Sequence, residues 1–271
     1  MTSTEPIPLR IAYGPHPGQF GDLYLPARSS PALPVAVVLH GGWWKDNQTL
    51  DSYPTHALVS WLAKRGDVAV WNLEYRRMQA TGDNTQAPWP ITLADVATGI
   101  DLLDEISAVN PERIVVFGHS AGAHLAAWAA CRIALPAESP LWRERPVVPR
   151  GVGLVAGVLS LDRSGDLEQP VQVTRLLGGA PEAMPERLRQ TCPSILSRGL
   201  RLQGFCLHGD VDQVVSLDQA RMFIEAAGTG ISLHRLHGGT HFSMLPGENM
   251  ISEHWRTLTQ LVSNMVNEVC S

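Results

Sequence analysis

A chain of 271 residues, 44% hydrophobic and 17% charged, has the composition of a globular protein with a sizeable core and excludes a disordered or repetitive one. A net charge of -5 without any basic cluster excludes nucleic acid as an expected partner, and the lack of an apolar run near the roughly 20 residues that span a bilayer excludes a membrane. Cys131, Cys192, Cys206 and Cys270 are scattered without a CxxC, and Met1 to Pro6 lack the layout of a secretory signal; reduced thiols in the cytoplasm are therefore expected.

In chain order, Pro8 to Tyr13 and Phe20 to Leu25 alternate apolar and polar residues and are expected as antiparallel edge strands, joined through Gly14-Pro15-His16-Pro17-Gly18. After a Pro-bounded linker, Ala27 to Pro34, the run Val35 to Leu39 is apolar on both faces, as a central strand of a covered parallel sheet must be. Tyr53 to Arg65 reads as a helix ended by Gly66, and Asp67 to Leu73 as another buried strand. A polar loop, Gln79 to Pro90, leads to a helix over Ile91 to Val109 that Asn110-Pro111 stops. The β-branched run Ile114 to Phe117 is a strand, and an alanine-rich helix follows it directly.

Beyond a proline-rich connection, Pro136 to Arg150, Gly151 to Leu159 is strand-like. Residues 160–197 break the rhythm with scattered Pro, Gly and Arg, and are expected as an insertion that partly caps the site. Leu202 to Leu207 is a strand, Ser216 to Ala227 a helix, Ile231 to Leu236 the last strand and Ile251 to Val269 the closing helix. Strands alternating with helices make one α/β domain over residues 1–271: a mostly parallel central sheet of about eight strands with helices on both faces.

The chemistry centres on Gly118-His119-Ser120-Ala121-Gly122, which stands where the strand ends and the helix starts. In a nucleophile elbow of this form a tight, strained turn lifts the serine hydroxyl clear of the sheet edge, and the two glycines avoid crowding the neighbouring strand and helix. A serine hydroxyl is a poor nucleophile at neutral pH and needs a histidine oriented by a carboxylate, expected in the order Ser, acid, His. Two carboxylates follow the strand ending at Leu207. Asp212 is preferred to Asp210, which directly follows Gly209 and reads as a turn residue bonding its own backbone.

His241, in a glycine-bearing loop beyond the last strand, can reach back to Ser120 better than His237 at the strand end or His234 inside it. His119 occupies the variable position of the elbow. His124, one helical turn on, reads as a packed helix residue. Each partner lies at the carboxyl end of a strand, the rim where open α/β sheets bind ligands. The tetrahedral oxyanion needs amide donors, one expected from Ala121 and the other from the loop His40-Gly41-Gly42-Trp43 that leaves its strand at the same rim. Trp43, Trp44, Tyr75 and Trp89 fall in loops near that rim, so Trp44, Tyr75 and Trp89 are candidate substrate-binding residues in an aromatic pocket.

With these residues together, the chain resembles the α/β-hydrolase superfamily over nearly its whole length, and within it the serine esterase branch of hormone-sensitive-lipase-like enzymes, feruloyl-esterase-like proteins and kynurenine formamidases. His40-Gly41-Gly42-Trp43-Trp44 is similar to the His-Gly-Gly-x-Trp signature of the formamidases, and Gly118 to Leu125 to their elbow; Tyr13-Gly14 and Asp22 to Pro26 are also similar to that group. Trp43 departs from the lipase-like branch, where a third glycine is common. The resemblance implies a Ser120, Asp212, His241 triad, oxyanion donors from Gly42, Trp43 and Ala121, and a small-molecule ester or aryl formamide as substrate. No metal and no cofactor are implied. Homo-oligomerisation stays open, and a non-catalytic small-molecule-binding member of the same fold is the alternative reading.

Overall fold

The computed structural model describes residues 7–26, 32–80, 89–246 and 252–270. Most of the expected linker Ala27 to Pro34 and of the loop Gln79 to Pro90 lies outside these residues, as does Ile251. Among the described residues, eight strands form one sheet: β1 (Leu9–Ala12), β2 (Phe20–Tyr24), β3 (Leu33–Leu39), β4 (Ala69–Leu73), β5 (Val109–His119), β6 (Gly151–Val155), β7 (Gly204–Gly209) and β8 (Ile231–Leu236). The spatial order is β1-β2-β4-β3-β5-β6-β7-β8. β2 runs antiparallel to β1 and β4, and the pairs from β4 through to β8 are all parallel.

The helices are α1 (His56–Ala63), α2 (Ile91–Asp101), α3 (Ala121–Cys131), α4 (Val171–Leu177), α5 (Pro185–Thr191), α6 (Pro193–Leu196), α7 (Leu217–Ala227) and α8 (Glu253–Cys270). Strand side chains alternate between the two faces. Val35, Val37 and Leu39 of β3, with Ile114 and Val116 of β5, join the core under α2, α3 and α7. Ala36, Val38, Val115 and Phe117 enter the core under α1 and α8. Both faces are covered, which is why the central strands are apolar without a break. The fold is that of an α/β sheet wrapped on both sides, as the alternation of elements implies. Among the described residues no helix is long and apolar enough to cross a membrane.

Several boundaries differ from expectation for local reasons. The helix expected over Ile91 to Val109 ends at Asp101 and tightens into a 3-10 turn, Leu102–Glu105. Asn110 and Pro111 then lie inside β5 and do not stop a helix. The ladder to β3 is irregular there, with Leu33 opposite Val109 and Val35 opposite Ile114, so Pro111 falls in a gap that requires no ladder N–H. The strand expected to reach Leu159 stops at Val155, because Ala156 turns to φ 46°.

Residues 160–197 form short helices, three of which start on a proline at their first turn, where the missing N–H costs nothing. The segment is tied to the body through Gln219 of α7. Its side chain accepts from Leu159 N and Ser160 N and donates to the carbonyls of Ser160 and Arg163.

Candidate active site

Ser120 stands between β5 and α3 with φ 57° and ψ -121°. This left-handed backbone is unfavourable for a residue with a Cβ and is held only by its surroundings. Those surroundings are on hand: Ser120 N donates to Val155 O at 2.9 Å, and Ser120 O accepts from Ala123 N at 3.0 Å and His124 N at 3.2 Å. The flanking glycines let the turn close. A Cβ on Gly118 would come within 2.2 Å of Gly122 O, and one on Gly122 within 2.2 Å of Leu39 O. α3 can therefore lie flat against the ends of β3 and β5, with every one of its residues buried. Its first amides, Ala121 among them, have no intrahelical partner and point out of the helix start.

The two later loops meet at the same rim. His241 Nδ1 lies 2.7 Å from Asp212 Oδ2, and both side chains are almost wholly buried. Asp212 Oδ1 accepts from Val214 N at 2.8 Å and Val215 N at 3.0 Å, and His208 Nε2 approaches Oδ2 at 3.4 Å. Burial by itself would raise the Asp212 pKa. The hydrogen bonds from His208, His241 and Val215 outweigh it and hold the carboxyl well below its usual range. Asp212 is thus a fixed carboxylate, while Ser216 caps α7 by accepting from Asp218 N. Asp210 faces the other way, taking Gly238 N at 2.7 Å, His237 at 3.1 Å and Arg235 at 3.2 Å. It bonds β8 and its loop rather than its own backbone.

Ser120 and His241 both line a cavity of about 520 Å³, together with Gly42, Trp43, Tyr53, Val214 and Phe242, and with Lys45 and Glu168. Gly42 (φ 106°), Trp43 (φ 55°) and Trp44 (φ 55°) are all left-handed in a row. This turns the loop after β3 past Ser120, and Gly42 and Trp43 line the cavity. A buried cluster braces the start of the loop: His40 Nδ1 is 2.8 Å from Gly41 O and Nε2 2.9 Å from Glu74 Oε1, and Tyr75 stacks on the His40 ring and donates to His40 O at 2.7 Å. Glu74 also accepts from Leu50 N and pairs with Arg77.

The expected substrate aromatics are a correction. Trp44 and Tyr75 are fully buried, and neither they nor Trp89 line the cavity. The left-handed turn at Trp44 sends its indole inward to donate to His124 Nδ1 at 3.2 Å. Tyr75 is held against His40, and Trp89 lies under the guanidinium of Arg187 at 4.8 Å. The aromatic walls are instead Trp43, Tyr53 and Phe242.

Tyr53 and His119 are the residues that sequence reasoning passed over. The Tyr53 hydroxyl is 2.7 Å from His119 Nδ1, and His119 Nε2 is 2.8 Å from the carbonyl of His241. Burial pushes the Tyr53 pKa up. A titratable ring beside Ser120 is the available signal for His119; nothing in the sequence marks Tyr53. His124, as expected, is a packed helix residue, with Nε2 at 3.0 Å from Thr191 O. Among the described residues no three His, Cys, Asp or Glu side chains are grouped to hold a metal ion.

The BD-FAE family model matches residues 21–139. A kynurenine formamidase of Danio rerio is 26% identical over 275 residues, covering 95% of this chain and 81% of that protein. The esterase LipC of Mycobacterium tuberculosis is 28% identical over 273 residues; the match takes in 88% of this chain and only 60% of LipC. Among solved structures, a truncated carbohydrate esterase from gut microbiota superposes with a TM-score of 0.77 at 17% identity, over 98% of this chain and 99% of the other.

Proposed function

The chain belongs to the esterase branch of the α/β-hydrolase superfamily, and we propose that it is a serine hydrolase of small carboxylic esters or aryl formamides. One observation carries the reading. A serine in a strained elbow shares a single cavity with a histidine whose Nδ1 is 2.7 Å from a buried carboxylate.

In this mechanism Asp212 accepts from His241 Nδ1–H, which leaves Nε2 as the base. Ser120 Oγ attacks the carbonyl carbon while its proton passes to His241 Nε2. The oxyanion so formed meets the amides of Ala121 and of Gly42 or Trp43, donors of a kind worth about 3 kcal/mol each. Collapse breaks the bond to the alkoxy or amino leaving group, which takes the proton from His241, and an acyl-Ser120 ester remains. Water then attacks that ester with His241 again as base, releasing the acid and restoring the serine. No cofactor enters these steps. The aromatic walls of Trp43, Tyr53 and Phe242 suit a compact acyl or aryl group better than a long chain.

A fluorophosphonate probe should label the protein, and Ser120→Ala should abolish both labelling and hydrolysis of p-nitrophenyl acetate. A folded protein that ignores the probe favours the non-catalytic binder. Rates on N-formylkynurenine, short acyl esters and feruloyl esters, compared side by side, separate formamide from ester.

A further inference from the structure

His119 sits at the elbow position that the nucleophile motif leaves free, yet every polar atom of its ring is engaged. Nε2 is 2.8 Å from the backbone carbonyl of His241, and Nδ1 is 2.7 Å from the Tyr53 hydroxyl. A carbonyl can only accept, so Nε2 carries the proton. In the neutral ring Nδ1 is then a lone pair, and the Tyr53 hydroxyl must donate to it. Both donors therefore run one way, from Tyr53 through His119 to the backbone of His241.

The packing is built around this line. A Cβ on Gly41 would stand 2.4 Å from the Tyr53 oxygen and 2.7 Å from His119 O, so only glycine lets the two approach. The His119 ring is 4.7 Å from that of His241 and 5.3 Å from that of Phe242. His241 itself lies on the loop after β8 that contains Gly238 and Gly239. A base on such a loop needs support, because a misplacement of about 1 Å can cost roughly 100-fold in rate.

We infer that His119 is a positioning residue: its Nε2–H bond to the His241 carbonyl holds the base in register with Ser120, and Tyr53 selects the tautomer that makes this bond available. This builds on the Ser120, Asp212, His241 reading.

Two substitutions divide the ring's roles. His119→Asn keeps an acceptor near the Nδ1 position for Tyr53 but has no donor at Nε2; His119→Gln keeps a donor near Nε2. Each full-length variant is assayed with p-nitrophenyl acetate, and kcat is normalised to the sites titrated by a fluorophosphonate. The asparagine variant should lose about 10- to 100-fold in kcat with KM within about twofold, whereas the glutamine variant should stay within about fivefold of wild type. Equal losses in the two variants, or a change confined to KM, overturn the inference. Should the asparagine variant not fold, Tyr53→Phe decides. A several-fold lower kcat at unchanged KM supports the tether, and wild-type kcat overturns it. Wild-type protein that is not labelled at all strikes at the Ser120 reading itself, and the tether falls with it; labelled wild type with matching Asn and Gln rates removes the tether alone.

Discussion

Lowering the pH from 7 to 5 should destabilise this protein through its buried histidines, His40 and the two near Ser120 among them. His119 and His124 are both fully buried. Each spends Nδ1 accepting, from the Tyr53 hydroxyl or the Trp44 indole, and Nε2 donating to a carbonyl. Burial pulls the His124 pKa down to about 4, against its bond to Thr191, and pulls that of His119 well below its ordinary value, with the nearby charge of His241 acting in the same sense.

In the unfolded chain both titrate near 6.5. Between the two pKa values the unfolded state binds more protons, so stability rises with pH there. The contribution is complete above about pH 6.5 and drains away as pH falls toward the folded value. For His124, moving from about 6.5 to about 4 makes the change from pH 7 to pH 5 cost about 2 kcal/mol, and His119 acts in the same direction. The His124 share alone is a sizeable part of the 5 to 15 kcal/mol typical of a domain. Asp212 contributes outside this window: its depressed carboxyl loses its stabilising effect only as pH falls below about 4. Urea unfolding at pH 7, 6 and 5 measures the slope. His124→Gln, which cannot take up a proton, should flatten it by up to about 1.4 kcal/mol per pH unit. A midpoint that does not move between pH 7 and 5, or a glutamine variant with the wild-type slope, would refute the reasoning.

Other changes act on single contacts. Asp212→Asn should lower kcat by about 10,000-fold with little change in KM, because an amide presents a donor to His241 Nδ1 and selects the wrong tautomer; steady-state kinetics on p-nitrophenyl acetate would show it. Gly122→Ala places a methyl 2.2 Å from Leu39 O and 2.5 Å from His40 O, backbone that has no room to yield. A loss of about 3 kcal/mol in urea unfolding is expected, and an equally stable variant would contradict the close approach. Gln219→Leu orphans the buried amides of Leu159 and Ser160 and should cost about 2 to 4 kcal/mol, with faster proteolysis within residues 160–197 as the second readout.

Much of this was legible in the chain alone. The unbroken apolar runs Val35 to Leu39 and Ile114 to Phe117 mark strands covered on both faces, since the local geometry of a strand sends alternate side chains to each face. The same holds for Gly118-x-Ser120-x-Gly122, where the clash is with atoms a few residues away or on the adjoining strand end. Chain order, with the turn reading of Asp210 and the reach of the loop after the last strand, singled out Asp212 and His241, whose side chains lie 2.7 Å apart. Tertiary structure decided what local pattern does not encode: where a loop side chain points. Trp44 and Tyr75 sit in rim loops, yet the left-handed backbone at Trp44 and the stacking of Tyr75 on His40 turn both into the core. Tyr53, on no motif, comes to Ser120 across a long stretch of chain, because Gly41 leaves space for it. Periodicity reports which face is apolar; which buried polar atoms meet depends on the packing of elements far apart in sequence, and only the assembled fold supplies that.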